Sequence, residues 1–109
     1  MPHIKFRGIK KEIIIDNSKE IIDTLTSIVG CERSWFTLEH IDTEYIFDGN
    51  IIPGITFAEF FWFERDKETK DKAAEFLTTF LMKLNNKNDT TVIFFPLTGE
   101  NYYDNGVHF

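Results

Sequence analysis

Cysteine is nearly missing from this chain. Cys31 is the only one, so no intrachain disulfide can form, and a single thiol suits a reducing compartment. A basic surface is missing too. Twelve Lys and Arg stand against 18 Asp and Glu, a formal charge of −6, which argues against a nucleic-acid or anionic-membrane partner. No apolar run approaches the roughly 20 residues that span a bilayer. The opening Met-Pro-His-Ile-Lys-Phe-Arg lacks the apolar stretch of a signal peptide. A cytoplasmic protein with no membrane partner is expected. His3, His40, His108 and Cys31 match no zinc spacing, and no phosphate loop, G-x-S-x-G or H-E-x-x-H occurs, so neither metal nor cofactor is expected.

Phenylalanine, by contrast, is abundant, with 12 among 109 residues, and 42% of the chain is hydrophobic against 28% charged. That composition suits one globular domain over 1–109. Segment 3–9 alternates, Ile4 and Phe6 against His3, Lys5 and Arg7, and reads as a strand. Segment 12–29 is helical, with Ile21, Ile22, Leu25, Ile28 and Val29 on one face and Gly30 as a left-handed stop. The helix starts either at an Asn17–Glu20 capping box or nearer Lys10, which would add Ile13 and Ile14. Segment 35–47 reads as a strand whose parity switches near His40, the mark of a bulge or bend. Asp48-Gly49 and Pro53-Gly54 set turns around a loop.

Segment 56–64 is apolar on both faces, with Phe57, Phe61 and Phe63 opposite Ala58, Phe60 and Trp62, and it carries Glu59 inside. A second helix is expected over 67–85, capped by Asp66 and striped by Ala73, Ala74, Leu77, Phe80, Leu81 and Leu84. Segment 90–97 is again a strand apolar on both faces, and Asn105-Gly106 marks a terminal hairpin. The order is β-α-β-β-α-β plus a hairpin, an α/β (α+β) arrangement in two similar halves offset by about 55 positions. It predicts a four-stranded sheet with two helices on one face. With no third helix, the second face of that sheet needs another cover, and a homo-oligomer supplies it. The alternative cover is the loop over 48–55 together with the tail.

The duplicated halves, the apolar sheet and a Met-Pro opening a strand resemble the tautomerase superfamily, which includes 4-oxalocrotonate tautomerase and macrophage migration inhibitory factor. The carriers are Met1–Arg7, Phe36–Glu39, Phe60–Arg65 and Tyr102–Phe109. Through them the chain is more closely similar to a functionally unassigned family of small bacterial proteins within that superfamily. The resemblance implies a homotrimer and keto–enol tautomerase (isomerase) chemistry on a small α-keto acid or related carboxylate, with an N-terminal proline as general base. Pro2 is the matching position, freed by removal of Met1. A ring amine desolvated among aromatic side chains loses its proton more easily than the ordinary α-amino group at about 7.7–8.0. It can then take a proton α to a carbonyl.

The resemblance places Arg65 close to Pro2, as the cation for the substrate carboxylate; its other reading is a solvated residue beside Asp66. Arg7 lies roughly 16 Å along the strand from Pro2. It serves either a neighbouring subunit's site or an ion pair. Trp62 and Phe63 would line the pocket or belong to the core. Glu59 is a catalytic acid or, more simply, an ion-pair partner of Arg7 or Lys5 at a subunit interface. Two departures stand out. Cys31 follows the first helix where many members carry a basic residue, with Arg33 nearby, and apolar residues near Ile93 and Phe95 replace the Tyr and Asn of some members. A non-catalytic oligomeric ligand-binding or interaction protein, on this scaffold or a ferredoxin-like one, is the competing reading. Strand order separates the two scaffolds.

Overall fold

The computed structural model describes residues 1–108. Its eight strands are β1 (His3–Arg7), β2 (Thr37–His40), β3 (Tyr45–Phe47), β4 (Asn50–Ile52), β5 (Thr56–Phe63), β6 (Thr90–Leu97), β7 (Tyr103–Asp104) and β8 (Val107–His108). Two helices, α1 (Lys11–Val29) and α2 (Lys67–Leu84), complete the fold with two short 3₁₀ turns.

The main sheet runs β2-β1-β5-β6. β1 and β2 are parallel, β5 and β6 are parallel, and the two pairs meet antiparallel across β1 and β5. Each half is thus an unbroken β-α-β unit with its two strands adjacent. A ferredoxin-like sheet splits those units by inserting a strand, so that scaffold is excluded. The expected two-helix, four-stranded arrangement with a terminal hairpin is present.

The core follows from the strand period of two and the helix period of 3.6. Ile4 and Phe6 from β1, and Ala58, Phe60 and Trp62 from β5, meet Ile14, Ile21, Leu25 and Val29 of α1 and Ala73, Leu77 and Leu81 of α2. Phe60, Trp62 and Phe94 form an aromatic cluster with ring centroids 4.8–5.4 Å apart. Helix α1 begins at Lys11 and not at the Asn17 capping box; Ile14 extends its buried face, and Asn17 donates back to the Ile13 carbonyl within the helix. Gly30 ends α1 at φ 76°. Asp66 stands at the start of α2, where its carboxylate accepts from the Thr69 hydroxyl and makes no side-chain bond to a backbone N–H.

Segment 35–55 departs from expectation. One strand over 35–47 with a bulge or bend near His40, and a loop over 48–55, were expected; the break falls where the bend was expected, and the new partner beyond it was not foreseen. β2 ends at His40, whose Nε2 donates to the Ile9 carbonyl. β3 then leaves the main sheet and pairs with β4 in a separate hairpin turned by Asp48-Gly49. Alternation alone marks a strand, but it does not say which partner the strand takes. The Tyr45 side chain anchors the hairpin base by packing closely against Gly8 and Gly54. Beyond it Ile46, Phe47 and Ile51 are about 70% exposed, so this arm does not cover the open sheet face. On that face Ile93 and Phe95 stay exposed, and Phe95 stacks on Phe61 at 4.6 Å. The Asn105-Gly106 turn joins β7 to β8 with both residues at positive φ, as a two-residue hairpin requires.

Gly8 and Gly54 generate a test. Both have positive φ, 76° and 67°, and an added Cβ would drive into the Ile55 carbonyl oxygen or the Tyr45 ring. Gly49 shares the positive φ but faces open space. Gly8→Ala and Gly54→Ala are expected to cost more than about 3 kcal/mol in urea denaturation, and Gly49→Ala about 1 kcal/mol. Equal losses at all three would show that the close approach does not matter.

Candidate active site

The antiparallel meeting of β1 and β5 brings the start of one beside the end of the other. Helix α1 returns its C-terminus to the same end of the sheet. Three chain segments far apart in sequence therefore enclose one cavity of about 190 Å³. Met1 and Pro2 come from the approach to β1, Val29 and Cys31 from the end of α1, Trp62, Phe63 and Arg65 from the end of β5, and Trp35 from the 3₁₀ turn before β2. At this size the cavity lies below the roughly 300–1,000 Å³ that hold drug-sized ligands.

Pro2 is buried, and its carbonyl accepts from the Thr37 N–H at 3.1 Å. While Met1 is attached, the Pro2 nitrogen is a tertiary amide without a basic lone pair, and Met1 occupies part of the cavity wall. The Met1 ammonium is held below its ordinary value, first by burial and then by the Arg65 charge, against Cys31 and Asp104. Burial pushes the Cys31 thiol up, with the terminal amine and Arg65 pulling the other way. The cavity thus disfavours a charged amine and a thiolate alike. Arg65 folds back so that its Nη1 donates to the Phe63 carbonyl at 3.0 Å. Among the described residues no carboxylate pairs with it.

Of the residues singled out from sequence, Pro2, Arg65, Trp62 and Phe63 share this cavity. Arg7 does not reach it. Its guanidinium pairs with Glu59 on the other face of the sheet and lies 5.1 Å from the centre of the Phe57 ring. That pair joins neighbouring strands of one chain, whereas Glu59 had been expected to bridge subunits. Val29 and Trp35 were not anticipated, and Cys31 was noted only as a departure. Sequence spacing holds no sign of them, because α1 and the turn after it reach the site only through the tertiary fold. Arg33, near the position where a basic residue was expected, is held by Asp23 at 2.5 Å outside the cavity. Among the described residues no three His, Cys, Asp or Glu side chains gather closely enough to hold a metal, and no helix is long and apolar enough to cross a membrane.

The chain belongs to the family described as Domain of unknown function (DUF1904), whose model matches residues 1–108. Its structure is similar to the crystal structure of a DUF1904 domain from Sebaldella termitidis ATCC 33386, at 40% identity and TM-score 0.94 over 100% of both chains. It is also similar to a macrophage migration inhibitory factor-like protein from Entamoeba histolytica, at 18% identity and TM-score 0.77 over 99% of this chain and 98% of that one. A fused 4-OT asymmetric trimer aligns at 9% identity and TM-score 0.81, over 97% of this chain and 94% of that one. No curated protein matches the sequence. The fold is that of the tautomerase superfamily.

His3, next to Pro2 but on the opposite face of β1, gives this end of the sheet a pH dependence. Its Nδ1 hydrogen-bonds with the Thr37 hydroxyl, and its Nε2 lies 2.9 Å from the Tyr102 hydroxyl. Burial first, then the positive terminal amine and Lys5, hold His3 below the ordinary histidine value; Asp104 opposes them. The native state therefore binds fewer protons than the unfolded chain between the two pKa values. Stability is full above the unfolded value near ~6.5 and is lost as pH falls from there through the folded value. Urea midpoints at pH 7.5 and 5.5 are expected to drop less in His3→Gln than in the parent. Equal drops would remove His3 from the account.

Proposed function

We propose that this chain, read as one domain over 1–109, is a keto–enol tautomerase that acts on a small 2-oxo carboxylate. The observation that carries the reading is the convergence of Pro2, Arg65, Trp62 and Phe63 on one cavity. Removal of Met1 would make the Pro2 nitrogen a secondary amine and vacate the space that Met1 takes. The desolvation and the Arg65 charge that now act on the Met1 ammonium would act on the ring nitrogen and favour its neutral form. A neutral amine accepts a proton from the carbon next to the carbonyl, which leaves an enolate, and the ammonium returns that proton to the enolate oxygen to give the enol. Arg65, without a carboxylate partner among the described residues, receives the substrate carboxylate with charge-assisted hydrogen bonds. Arg7 is committed to Glu59, so the cation role falls to Arg65.

Self-association belongs to the same reading. The apolar arm at Ile46, Phe47 and Ile51 and the open face at Ile93 and Phe95 are surfaces that a second copy would cover. The fused 4-OT neighbour is an asymmetric trimer, which supports a trimeric assembly. A second reading rests on Cys31. A protonated thiol stands where the superfamily resemblance expects a basic residue, which favours a non-catalytic oligomeric ligand-binding protein.

Intact mass, enolisation kinetics and light scattering test these readings. Untagged protein is expected to lack Met1 by intact mass and to enolise phenylpyruvate, with Pro2→Ala slower by about 10²-fold or more. Arg65→Gln is expected to raise KM by about 10- to 100-fold with a smaller change in kcat. A retained Met1, or a rate indifferent to Pro2→Ala, ends the tautomerase reading, and carboxylate binding without enolisation would favour the second. Light scattering is expected to give three times the chain mass, and Phe47→Asp to lower it. A monomeric parent would end the assembly.

A further inference from the structure

The enolate left when the amine takes a proton from carbon needs a proton on oxygen, and few groups in the cavity wall can supply one. Arg65 keeps its proton at any ordinary pH, and the indole, phenyl and aliphatic side chains there have no acidic proton. His3 and Tyr102 border a different cavity, with Lys5 and Thr37. Among the described residues, Cys31 is therefore the one side chain lining the site that can give up a proton and take it back. Its place follows from the end of α1. Gly30 turns left-handed, its N–H donates to the Thr26 carbonyl at 2.9 Å, and the next residue joins Met1 and Pro2 in the wall. Cys31 is partly exposed and not sealed into the core. Its thiol, the terminal amine and Arg65 act on one another electrostatically, so the sulfur stands among the same charged groups that a ligand would meet. Burial and Glu32 keep the thiol protonated at rest, and the carboxyl end of α1 acts in the same sense. The balance changes during the reaction. Once the Pro2 nitrogen has taken the carbon-bound proton, it carries a full positive charge near the thiol, which then releases its own proton more easily. The acid is strengthened at the step that calls for it.

We infer that Cys31 is a catalytic residue, whose thiol protonates the enolate oxygen of a substrate anchored by Arg65 while the Pro2 ammonium holds the proton taken from carbon. The inference rests on the tautomerase reading and names the path by which the proton returns. The S–H bond breaks as the O–H bond forms, and the enol leaves. The ammonium then gives its proton to the thiolate, which restores amine and thiol together. No further reactant is consumed.

Cys31→Ala and Cys31→Ser test the role in untagged protein with phenylpyruvate as substrate. Both are expected to lower kcat by about 10²-fold with KM within about twofold, the mark of an interaction made only in the transition state. The parent's kcat is expected to fall at alkaline pH, where the thiol loses its proton, and both variants are expected to lack that limb. A thiol that only fills space would leave Cys31→Ser at the parent's rate and the limb in place. A third arm needs no turnover. Cys31 is the only cysteine, so alkylation by iodoacetamide, read by intact mass, reports this thiol alone. Benzoylformate is a 2-oxo carboxylate with no proton on the carbon beside its carbonyl. At roughly ten times its Kd it is expected to slow alkylation of the parent by about tenfold, and to protect Arg65→Gln far less at the same concentration. If one variant does not fold, the other and the protection of the parent decide the matter. Parent-like kcat in either variant, an alkaline limb that persists without the thiol, or alkylation indifferent to benzoylformate would each overturn the inference. Enolisation that depends on Pro2 but ignores Cys31 would end this role and keep the tautomerase reading. A parent that does not enolise phenylpyruvate would end that reading and the role of Cys31 with it, whatever the alkylation shows.

Discussion

The pinning of the β1 entry into the centre of the sheet is the constraint on which the rest of the structure depends. β1 has β2 on one side and β5 on the other, so the first residues are gripped along both edges. The Thr37 N–H holds the Pro2 carbonyl, and His3 pairs with Phe61 across the antiparallel ladder. Chain ends usually fray because few groups order them. Here the end is ordered by backbone hydrogen bonds on two sides and by burial of Pro2, Ile4 and Phe6. A group at the start of the chain thus acquires the fixed position and dry surroundings that are otherwise found in the middle of a domain.

Antiparallel joining of two β-α-β halves then decides what surrounds that group. The start of β1 and the end of β5 fall at one end of the sheet, and α1 must return its C-terminus there before β2 can begin. A proline, an arginine, two tryptophans and a thiol are brought together by topology, although 60 or more positions separate Pro2 from Trp62 and Arg65. The same logic keeps Arg7 away. Five positions along the strand take it to the far end and, by parity, to the other face, where Glu59 receives it. That pair lets Glu59 sit inside an apolar strand without standing as an unpaired buried charge.

Much of this was legible in the residues, and the reasons are local. The Ile21–Leu25–Val29 stripe, the Gly30 stop, the Ala73–Leu77–Leu81 stripe and the Asn105-Gly106 turn each carry a signal within a few positions, and each formed as expected. Segment 35–55 was misread because β3 and β2 share an alternating pattern and only the pairing partner differs. The start of α1 was ambiguous because Asn17 suits both a cap and a back-bonded position inside a helix. At the site, Pro2 and Arg65 carry recognisable chemistry. Val29, Cys31 and Trp35 do not, since apolar wall residues look like core until the fold places them around a space.

Charge sets one further condition on the cavity. The chain carries −6 overall, so its long-range field repels small anions. That repulsion is screened beyond about 8–10 Å at ordinary ionic strength. Within that range the balance reverses. Arg65 lies close enough to pull both the terminal amine and the Cys31 thiol downward, although burial holds the thiol above its ordinary value, and Trp35, Trp62 and Phe63 wall the cavity beside it. A local cation in partly desolvated surroundings interacts several times more strongly than the same charge in bulk water. Recognition of a carboxylate at this end of the sheet would therefore depend on the short-range geometry of Arg65 and gain nothing from steering. Its strength would change far less with salt than that of an interaction drawn in by net charge.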